Sequence, residues 1–408
     1  MTVWSKVRLK NLCVDAGQYG LNTSAENYVE SGVRLLRTTD ISSGRLTPTE
    51  DGVFVSDLPE ERFTLKEGDI LLSRSGTPPG QSYLVRASDA GATFAGYLVR
   101  FRPLWSAEPR FLAYVARSEP FQHKIRSESV ASTIQNFNAE RYANIDFRAP
   151  GLEEQRRIAN FLDAEIGKID DLVSKKERLV SLMDERINSQ VLQYIGSSQL
   201  VRHTTGHPAL PIRRILTKVV RPAVADVGVI TAYRDGQVTE RSLRRAEGYT
   251  LSSSADPQGQ SVQVGDVVVH GLDGFAGAIG TSEAIGNCSP VYHVCTPTGD
   301  GDAYFLGRLL RLLALQGYLG NFATSTRERA VDFRNWDLFG RIPIPVVPPD
   351  GQREIGDRIK GLRPLRELIV RSETLAAERR QALITAAVSG QFDVSTASGR
   401  NVTDGVTA

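Results

Sequence analysis

Apolar residues recur at alternating steps of four and three over residues 153–195, a stretch with no proline and one interior glycine, Gly167. This spacing predicts a helix with an apolar seam of the coiled-coil type, interrupted chiefly by Lys176 and Gln190. At ~1.5 Å per residue the helix would be roughly 60 Å long, more than the core of a compact domain requires. We therefore predict a spacer helix whose seam packs on a similar partner. Its predicted pairing positions are Leu162, Ile169, Val173, Val180, Met183 and Ile187.

A second helical stretch over residues 350–388 supplies a partner within the same chain. Asp350, which follows two prolines, is its start signal, and Gly390 is its stop signal. Pro364 lies inside the stretch and predicts a kink or a fresh helix start, because proline lacks an amide donor. The predicted pairing positions here are Ile359, Leu362, Leu365, Leu368 and Leu375.

The chain repeats itself at an offset of 197 residues. The two long helices open on similar sequences, Glu-Gln-Arg-Arg-Ile and Gly-Gln-Arg-Glu-Ile, which place Gln155 and Gln352 in equivalent positions. Residues 65–72 and 262–269 both predict a strand entry, a Gly-Asp turn and a buried apolar strand. The organisation is therefore globule, long helix, globule, long helix.

Short apolar runs separated by turn signals predict strands in the first globule, at 33–36, 70–72 and 97–101. One helix is predicted at 109–127, broken or kinked by Pro120, with a counterpart at 303–319. The predicted fold class is α+β: two mixed α/β globules in tandem repeat, separated by two long helices that pair as an antiparallel coiled coil. The predicted boundaries are 1–150 for the first globule, 151–196 for the central helix, 197–349 for the second globule, 350–391 for the C-terminal helix and 392–408 for a disordered tail.

Composition narrows the class of protein. The 408 residues suit two or three domains. The formal net charge is only +2, from 49 lysines and arginines against 47 aspartates and glutamates, so any nucleic-acid site must be local. The three cysteines, Cys13, Cys288 and Cys295, argue against a disulfide framework or a structural zinc site. The sequence has no signal peptide and no apolar run near ~18 residues, so we predict a soluble cytoplasmic protein.

A duplicated globule on a duplicated spacer predicts two similar surfaces separated by tens of ångströms. Double-stranded DNA offers equivalent faces at such separations, because major-groove half-sites recur every ~34 Å. The layout favours recognition of a bipartite DNA sequence, although a clamp that binds protein would be built alike.

Two loops of the first globule are candidates for DNA contact. Arg74, Ser75 and Thr77 follow a buried strand; arginine can fork guanine O6 and N7, and hydroxyl groups suit phosphates or bases. The second loop is rich in amides and hydroxyls, which suit adenine N6 and N7. Its candidates are Ser132, Thr133, Gln135, Asn136 and Asn138. The alternative for both loops is an ordinary polar surface turn.

The second globule carries clustered arginines that could neutralise phosphates. The candidates are Arg234, Asp235, Arg241, Arg244 and Arg245 in one loop, and Thr326, Arg327 and Arg329 in another. The alternative is surface ion pairing with Glu240, Glu247 and Glu328, which contributes little. His270 and Asp273 follow the second Gly-Asp strand and are predicted to read bases. A catalytic His-Asp pair is the weaker hypothesis, because no serine or cysteine signature accompanies it.

Over residues 1–395 the chain resembles the specificity subunit of a type I DNA restriction-modification system. The features that carry this resemblance are the two helix starts, the two Gly-Asp turns and the ending at 380–391. Residues 231–238, with Arg244 and Arg245, also resemble one recurrent class of the family's second target-recognition domain.

The resemblance implies that each globule is a target-recognition domain and that each reads one half-site of an interrupted DNA sequence. It further implies that the helices set the gap and dock two methyltransferase subunits. ATP-dependent restriction and translocation subunits join the complex unless the system only methylates. The implied cofactors, S-adenosylmethionine, ATP and Mg, belong to those partners and not to this chain, and no membrane is implied.

The sequence contains none of the catalytic motifs searched for. It lacks a P-loop lysine motif, a dinucleotide-binding glycine motif, His-Glu-x-x-His, zinc-ligand spacing and the Asn/Asp-Pro-Pro-aromatic tetrapeptide of amino-methyltransferases. We therefore predict a non-catalytic DNA-recognition subunit. The first alternative is a coiled-coil scaffold for proteins without DNA contact. The second is an enzyme of another type, such as a nuclease.

Overall fold

The computed structural model describes residues 4–42, 44–56, 60–76, 79–129, 136–195, 209–244, 259–322, 332–391 and 394. The chain forms two compact units: unit 1 comprises residues 1–174 and 371–408, and unit 2 comprises residues 175–370. Each long helix therefore contributes one half to each unit. Within the described ranges, no helix is both long and apolar enough to span a membrane. Almost all of the predicted disordered tail lies outside the described residues.

Unit 1 combines short strands with helices on one side. Its strands are β1 (Ser5–Arg8), β2 (Gln18–Tyr19), β3 (Tyr28–Val29), β4 (Val33–Leu36), β5 (Ile41–Ser42), β6 (Arg45–Leu46), β7 (Val53–Val55), β8 (Ile70–Ser73), β9 (Ser82–Leu84), β10 (Thr93–Phe94), β11 (Leu98–Phe101) and β12 (Asp146–Ala149). Its helices are α1 (Pro109–Arg117), α2 (Glu119–Ser129), α3 (Ala139–Asn144), the first half of α4 (Leu152–Ile195) and the second half of α8 (Pro349–Val388).

Unit 2 is built to the same plan. Its strands are β13 (Ala209–Pro211), β14 (Leu216–Lys218), β15 (Ile230–Ala232), β16 (Val238–Glu240), β17 (Gln260–Val262), β18 (Val267–His270), β19 (Ile279–Thr281), β20 (Gly286–Cys288), β21 (Tyr292–Pro297) and β22 (Pro343–Pro345). Its helices are the second half of α4, α5 (Ile212–Ile215), α6 (Ala303–Leu315), α7 (Trp336–Phe339) and the first half of α8.

The central sheets of the two units have the same topology. The strand order is β2-β11-β8-β9 in unit 1 and β14-β21-β18-β19 in unit 2, with every pair antiparallel. The first and last strands of each globule also pair, β1 with β12 and β13 with β22. The predicted α+β tandem repeat is therefore confirmed.

The apolar strand after each Gly-Asp turn is buried on both faces. Ile70 and Leu72 of β8 pack against the helices of unit 1, whereas Leu71 faces a second core. In β18, Val267 and Val269 pack against the helices of unit 2, whereas Val268 faces the other core. Two-sided burial explains why these strands are continuous apolar runs instead of alternating with polar residues.

The two Gly-Asp turns have the same geometry. Gly68 and Gly265 have φ angles of +86° and +91°, a left-handed conformation that favours glycine. Asp69 and Asp266 are buried, and each Oδ2 accepts from a backbone N–H three residues earlier, at 2.8 Å and 2.7 Å. Each carboxylate also binds a guanidinium, Arg102 in unit 1 and Arg221 in unit 2.

The helices follow the sequence predictions closely. The long helices extend over 152–195 and 349–388, within one residue of the periodic stretches at 153–195 and 350–388. The helix predicted at 109–127 is two helices separated at Ser118, close to the break expected at Pro120. The fresh start considered at Pro364 does not occur, because α8 continues through this proline.

The long helices pair within each unit. In unit 1, Asp170 of α4 lies 2.6 Å from Arg380 of α8; in unit 2, Asp184 of α4 lies 2.9 Å from Arg366 of α8. A step of 14 residues forward along α4 is thus a step of 14 back along α8, the register of an antiparallel pair. Of the predicted pairing positions, Leu162, Ile187 and Leu362 are buried, and Ile169, Val173, Val180, Met183, Ile359 and Leu365 are half-buried.

The structure corrects the seam of α8 at two predicted pairing positions. Leu368 and Leu375 are 61% and 55% exposed. The buried or half-buried positions recur every seven residues at Leu362, Ile369, Ala376 and Leu383. Leu368 and Leu375 each precede one of these by a single residue, a rotation of about 100° around the helix axis that turns them away from α4.

Candidate nucleic-acid interface

The first candidate surface lies where β8 ends in unit 1. Arg74 follows the last residue of this strand, and its backbone N–H and carbonyl bond to Tyr97 and Phe137, both at distances below 3.0 Å. Ser75 forms an isolated antiparallel bridge with Asn136. The backbone thus joins the loop after β8 to the segment before α3. We call Tyr19, Arg74, Ser75, Tyr97 and Asn136 the strand-end surface of unit 1.

The Arg74 side chain is held by two neutral neighbours. Its Nε donates to Asn136 Oδ1 at 3.4 Å, and its guanidinium carbon lies 5.0 Å from the ring centroid of Tyr19. The Tyr19 hydroxyl accepts in turn from the backbone N–H of Ala139 at 2.9 Å. No carboxylate lies within ion-pair distance of Arg74 among the residues that the structure describes. The guanidinium is therefore oriented but not neutralised, as a contact to a base or phosphate requires.

Two further residues, Asn138 and Arg141, lie at the edge of this surface. Asn138 caps α3, because its Oδ1 accepts from the backbone N–H of Arg141 at 2.9 Å. Its amide oxygen thus has a structural role that the sequence prediction did not anticipate. Arg141 lies over the ring of Phe137, and Tyr97 is 63% exposed beside Arg74. Tyr19, Tyr97 and Arg141 were missed from the sequence, and only their aromatic and cationic types could have drawn attention to them.

The second candidate surface lies at the equivalent strand end in unit 2. The chain turns tightly between β15 and β16, where Gly236 has a φ of +87°. This turn places Arg234 against the loop after β18, and its guanidinium donates to Asp273 Oδ1 at 3.0 Å. Two candidates 39 residues apart in sequence are therefore in direct contact.

His270 organises the loop that follows β18. Its Nδ1 accepts from the backbone N–H groups of Leu272 and Asp273, at 3.1 Å and 2.9 Å, and its ring packs edge-on against Tyr292. Burial lowers the pKa of His270, although the nearby Asp273 carboxylate opposes this shift. The neutral imidazole is therefore the form that holds the loop. Its Nε2 is 4.0 Å from Asp273 Oδ2, beyond the hydrogen bond that a catalytic His-Asp pair needs.

Ser73 occupies the corresponding place in unit 1. It is the last residue of β8 and pairs with Leu98, as His270 pairs with Tyr292. Its Oγ accepts from the backbone N–H groups of Gly80 and Gln81, at 3.0 Å and 2.9 Å. Both units therefore use a polar side chain at this strand end to hold the loop that follows.

A second cluster of candidates lies beside the β15–β16 turn. Arg244 pairs with Asp235 at 2.8 Å and lies over the ring of Tyr233, 4.2 Å from its centroid. Arg241 is half-buried on the turn after β16. Arg234 and Arg244 are thus ion-paired, as the alternative hypothesis anticipated, but with Asp273 and Asp235 instead of the glutamates considered. Arg74 of unit 1 has no such pairing within the described residues.

The remaining sequence candidates are outside the described residues: Thr77, Ser132, Thr133, Gln135, Arg245, Thr326, Arg327 and Arg329. Among the residues that are described, no group of histidines, cysteines, aspartates or glutamates is arranged to hold a metal ion.

Residues 4–182 match the model of a protein family described as the type I restriction modification DNA specificity domain. Two curated proteins are similar. The type I restriction enzyme StySPI specificity subunit of Salmonella potsdam is 26% identical over 43% of this chain and 38% of its own length. The type I restriction enzyme EcoKI specificity subunit of Escherichia coli is 24% identical over 65% of this chain and 59% of its own length. This chain therefore spans less than two thirds of each curated relative that it matches.

Among solved structures, one with a similar fold covers nearly the whole chain. It comes from work on complex assembly and conformational transition of the type I R-M system. The match covers 96% of this chain and 99% of that chain, with a TM-score of 0.61 and 13% identity. At this identity the similarity shows the fold alone.

Proposed function

We propose that this chain, a homologue of type I restriction-modification specificity subunits, recognises a DNA sequence as a non-catalytic subunit. In this proposal each unit reads one half-site of a bipartite, interrupted target. The observation that supports it best is the shared sheet topology, with a polar loop held at the same strand end in both units. Two recognition units with the same fold suit double-stranded DNA, because DNA offers two equivalent groove faces.

The chemistry of the two surfaces supports base and phosphate contacts. Arg74 is oriented by Tyr19 and Asn136 and lacks a carboxylate partner within the described residues, so its fork is available to guanine O6 and N7. In unit 2, Arg234 and Arg244 are paired with aspartates, and they would exchange these partners for phosphates on binding. We expect the two units to read different base sequences, because their exposed side chains differ.

The helices would set the separation of the half-sites and dock two methyltransferase subunits. Three leucines on α4, Leu172, Leu179 and Leu182, are exposed and recur at steps of seven and three. On α8, Leu368 and Leu375 are exposed seven residues apart. Such stripes suit the helices of a partner protein. S-adenosylmethionine, ATP and Mg would be held by the methyltransferase and restriction subunits, in the cytoplasm where the DNA is.

The scaffold alternative makes a different prediction about how DNA affinity depends on salt concentration. A coiled-coil scaffold without DNA contact would show no salt-dependent DNA affinity. Neutralisation of several phosphates would instead give a linear fall of log affinity with log salt concentration.

An exchange of the second globule tests independent reading. Residues 209–348 would be replaced by the corresponding globule of a homologue with a different target, and the chain would be expressed with its methyltransferase. The methylated motif should change in one half and keep the other half and the gap. A change in both halves, or in neither, would contradict the proposal. A matched control exchanges the same residues for a homologue with the same second half-site.

A further inference from the structure

Arg117, the last residue of α1, is a half-buried cation of unit 1. No carboxylate lies within ion-pair distance of its guanidinium among the residues that the structure describes, and its nearest aromatic ring, Tyr114, has its centroid 5.9 Å away. Burial lowers the pKa of Arg117; Tyr114 and Asp170 oppose the shift, while Arg380 and Arg45 add to it. The charged neighbours of this guanidinium therefore include two cations, Arg45 and Arg380, and one carboxylate, Asp170.

Two arginines of unit 1, Arg45 and Arg380, share one carboxylate. Arg45, on the β5–β6 hairpin, lies 3.0 Å from Asp170 Oδ2, and Arg380 of α8 lies 2.6 Å from Asp170 Oδ1. The Nε of Arg380 is buried and makes no hydrogen bond within the described residues. Arg117 adjoins the same hairpin, because a Cβ at Gly44 would lie 3.4 Å from its Nη1. We call Arg45, Arg117 and Arg380 the arginine cluster of unit 1, and together they carry three positive charges against the one negative charge of Asp170.

Unit 2 also places two arginines on one carboxylate, although one of them, Arg308, belongs to α6 and not to a hairpin. Arg311 lies nine residues after Asp302, the residue that caps α6, and Arg117 lies nine residues after Glu108, the residue that caps α1. Arg308 and Arg366 both donate to the same oxygen of Asp184, at 2.9 Å each.

The Arg311 side chain donates only to the backbone carbonyl of Arg234, within the described residues. Burial lowers its pKa, as it does for Arg117. Arg308, Arg311 and Arg366 form the arginine cluster of unit 2. Asp235 is a further negative neighbour of Arg311, but it is already paired with Arg244.

A purely structural role does not explain two guanidiniums on one carboxylate beside a third, Arg117 or Arg311, that has no ion pair within the described residues. Uncompensated charge in a partly desolvated site is costly, and the cost is removed when an anion binds. Guanidinium forks match the oxygens of a phosphate group, which accepts several charge-assisted hydrogen bonds at once. The cluster of unit 1 is also reachable, because the side chains of Arg45 and Arg380 are 69% and 25% exposed.

We propose that the two arginine clusters are phosphate-binding sites, one in each unit, that hold backbone phosphates of the DNA outside the base-reading surfaces. The identity of the phosphate rests on the proposed function, whereas the site itself does not. Each cluster would position the duplex against its unit without reading sequence.

The first experiment measures phosphate binding by the arginine clusters in the absence of DNA. Thermal unfolding of the full chain would be followed in sodium phosphate and in sodium chloride of equal ionic strength. Phosphate at about ten times its dissociation constant should raise Tm by about 2–4 °C over chloride. Arg117→Gln should lose about half of this difference, because the cluster of unit 2 remains. Arg117→Lys should lose less, because the charge remains but the fork does not. Since each variant is compared with itself in two salts, a change in its basal stability does not affect the result.

The matched control is Arg178→Gln. Arg178 lies on α4 with its side chain 64% exposed and paired with Glu185, so its loss removes the same charge outside the clusters. It should behave as the unsubstituted chain. An equal phosphate effect in Arg117→Gln and the unsubstituted chain would overturn the proposal.

The second experiment identifies the source of the phosphate. Affinity of the chain with its methyltransferase partners for a duplex would be measured over a series of salt concentrations. Arg117→Gln should reduce the slope of log affinity against log salt by about one. An unchanged slope, with phosphate stabilisation lost, would assign the site to free phosphate or a nucleotide. Absence of DNA binding by the unsubstituted complex would reject the proposed function and leave the phosphate site supported by the first experiment.

Discussion

Gln155 and Gln352 make the same pair of hydrogen bonds in the two units. The Oε1 of Gln155 accepts from the backbone N–H of Glu108 at 3.0 Å, and that of Gln352 accepts from Asp302 at 3.1 Å. Each Nε2 donates to a carbonyl five residues earlier, on Pro150 or Val347. Both side chains are buried, and Glu108 and Asp302 cap α1 and α6. Each glutamine therefore joins the start of a long helix to the helix of its own globule.

We expect Gln155→Ala and Gln352→Ala to reduce the free energy of unfolding by about 1–3 kcal/mol each, because a buried donor and a buried acceptor lose their partners. Denaturation in urea measures this. Gln193→Ala, on the exposed face of α4, is the matched control and should stay within about 0.5 kcal/mol of the unsubstituted chain. Equal effects at the three positions would show that the paired glutamines do not join helix and globule.

Arg74→Ala should weaken binding to the cognate duplex by about 1–3 kcal/mol and relax specificity at one base of one half-site. Tyr19→Leu should have a smaller effect in the same direction, because it removes the ring that orients Arg74. Binding to duplexes changed one base pair at a time measures both effects. Arg86→Ala removes an exposed arginine of the same unit as a control. A uniform loss across all duplexes would mean that Arg74 contacts phosphate and not a base.

Protonation of His270 at low pH should reduce the stability of unit 2. Its folded-state pKa is lowered by burial, so the unfolded chain binds the proton more readily, and stability falls as the pH drops. The stability that neutral His270 contributes is fully present above about pH 6.5. It is lost as the pH falls through the lower pKa of His270 in the folded state. The imidazolium cannot accept from Leu272 and Asp273, so the loop is released.

Urea unfolding between pH 7.5 and 5 checks the contribution of His270. His270→Asn, which keeps an acceptor without a titrating group, should lose less stability over this range than the unsubstituted chain. His293 is also buried with a lowered pKa and remains in both proteins, so the difference between them reports on His270. The same loss in both proteins would contradict this role.

Longer helices should widen the gap in the DNA target. The test inserts seven residues after Ser174 in α4 and seven opposite them, after Leu375 in α8. This double insertion lengthens the helix pair by ~10 Å and preserves the pairing of the two helices. The methylated motif should keep both half-sites and gain spacer bases. An insertion in α4 alone should reduce activity, because the seam then loses its register. An unchanged gap in the double insertion would show that the helices do not set it.

The sequence by itself determined the long helices, the tandem repeat and the buried strands. Local sequence patterns predict these features. Apolar residues at steps of three and four predict a helix, and an apolar run after a Gly-Asp turn predicts a strand buried on both faces. Even Gln155 and Gln352 were paired by their place in the repeat. Such patterns can be recognised without a tertiary structure, because each depends only on residues that are close together in sequence.

Tertiary structure decided which polar side chains act together. Tyr19 and Asn136 meet Arg74 only because β2, β8 and the segment before α3 converge, and no local pattern encodes that convergence. The phase of the α8 seam was likewise set by its contacts, since Leu368 and Leu375 are as apolar as Leu362 but point away from α4. Polar contacts and the choice of helix face depend on residues distant in sequence, so they are fixed only when the folded chain brings those residues together.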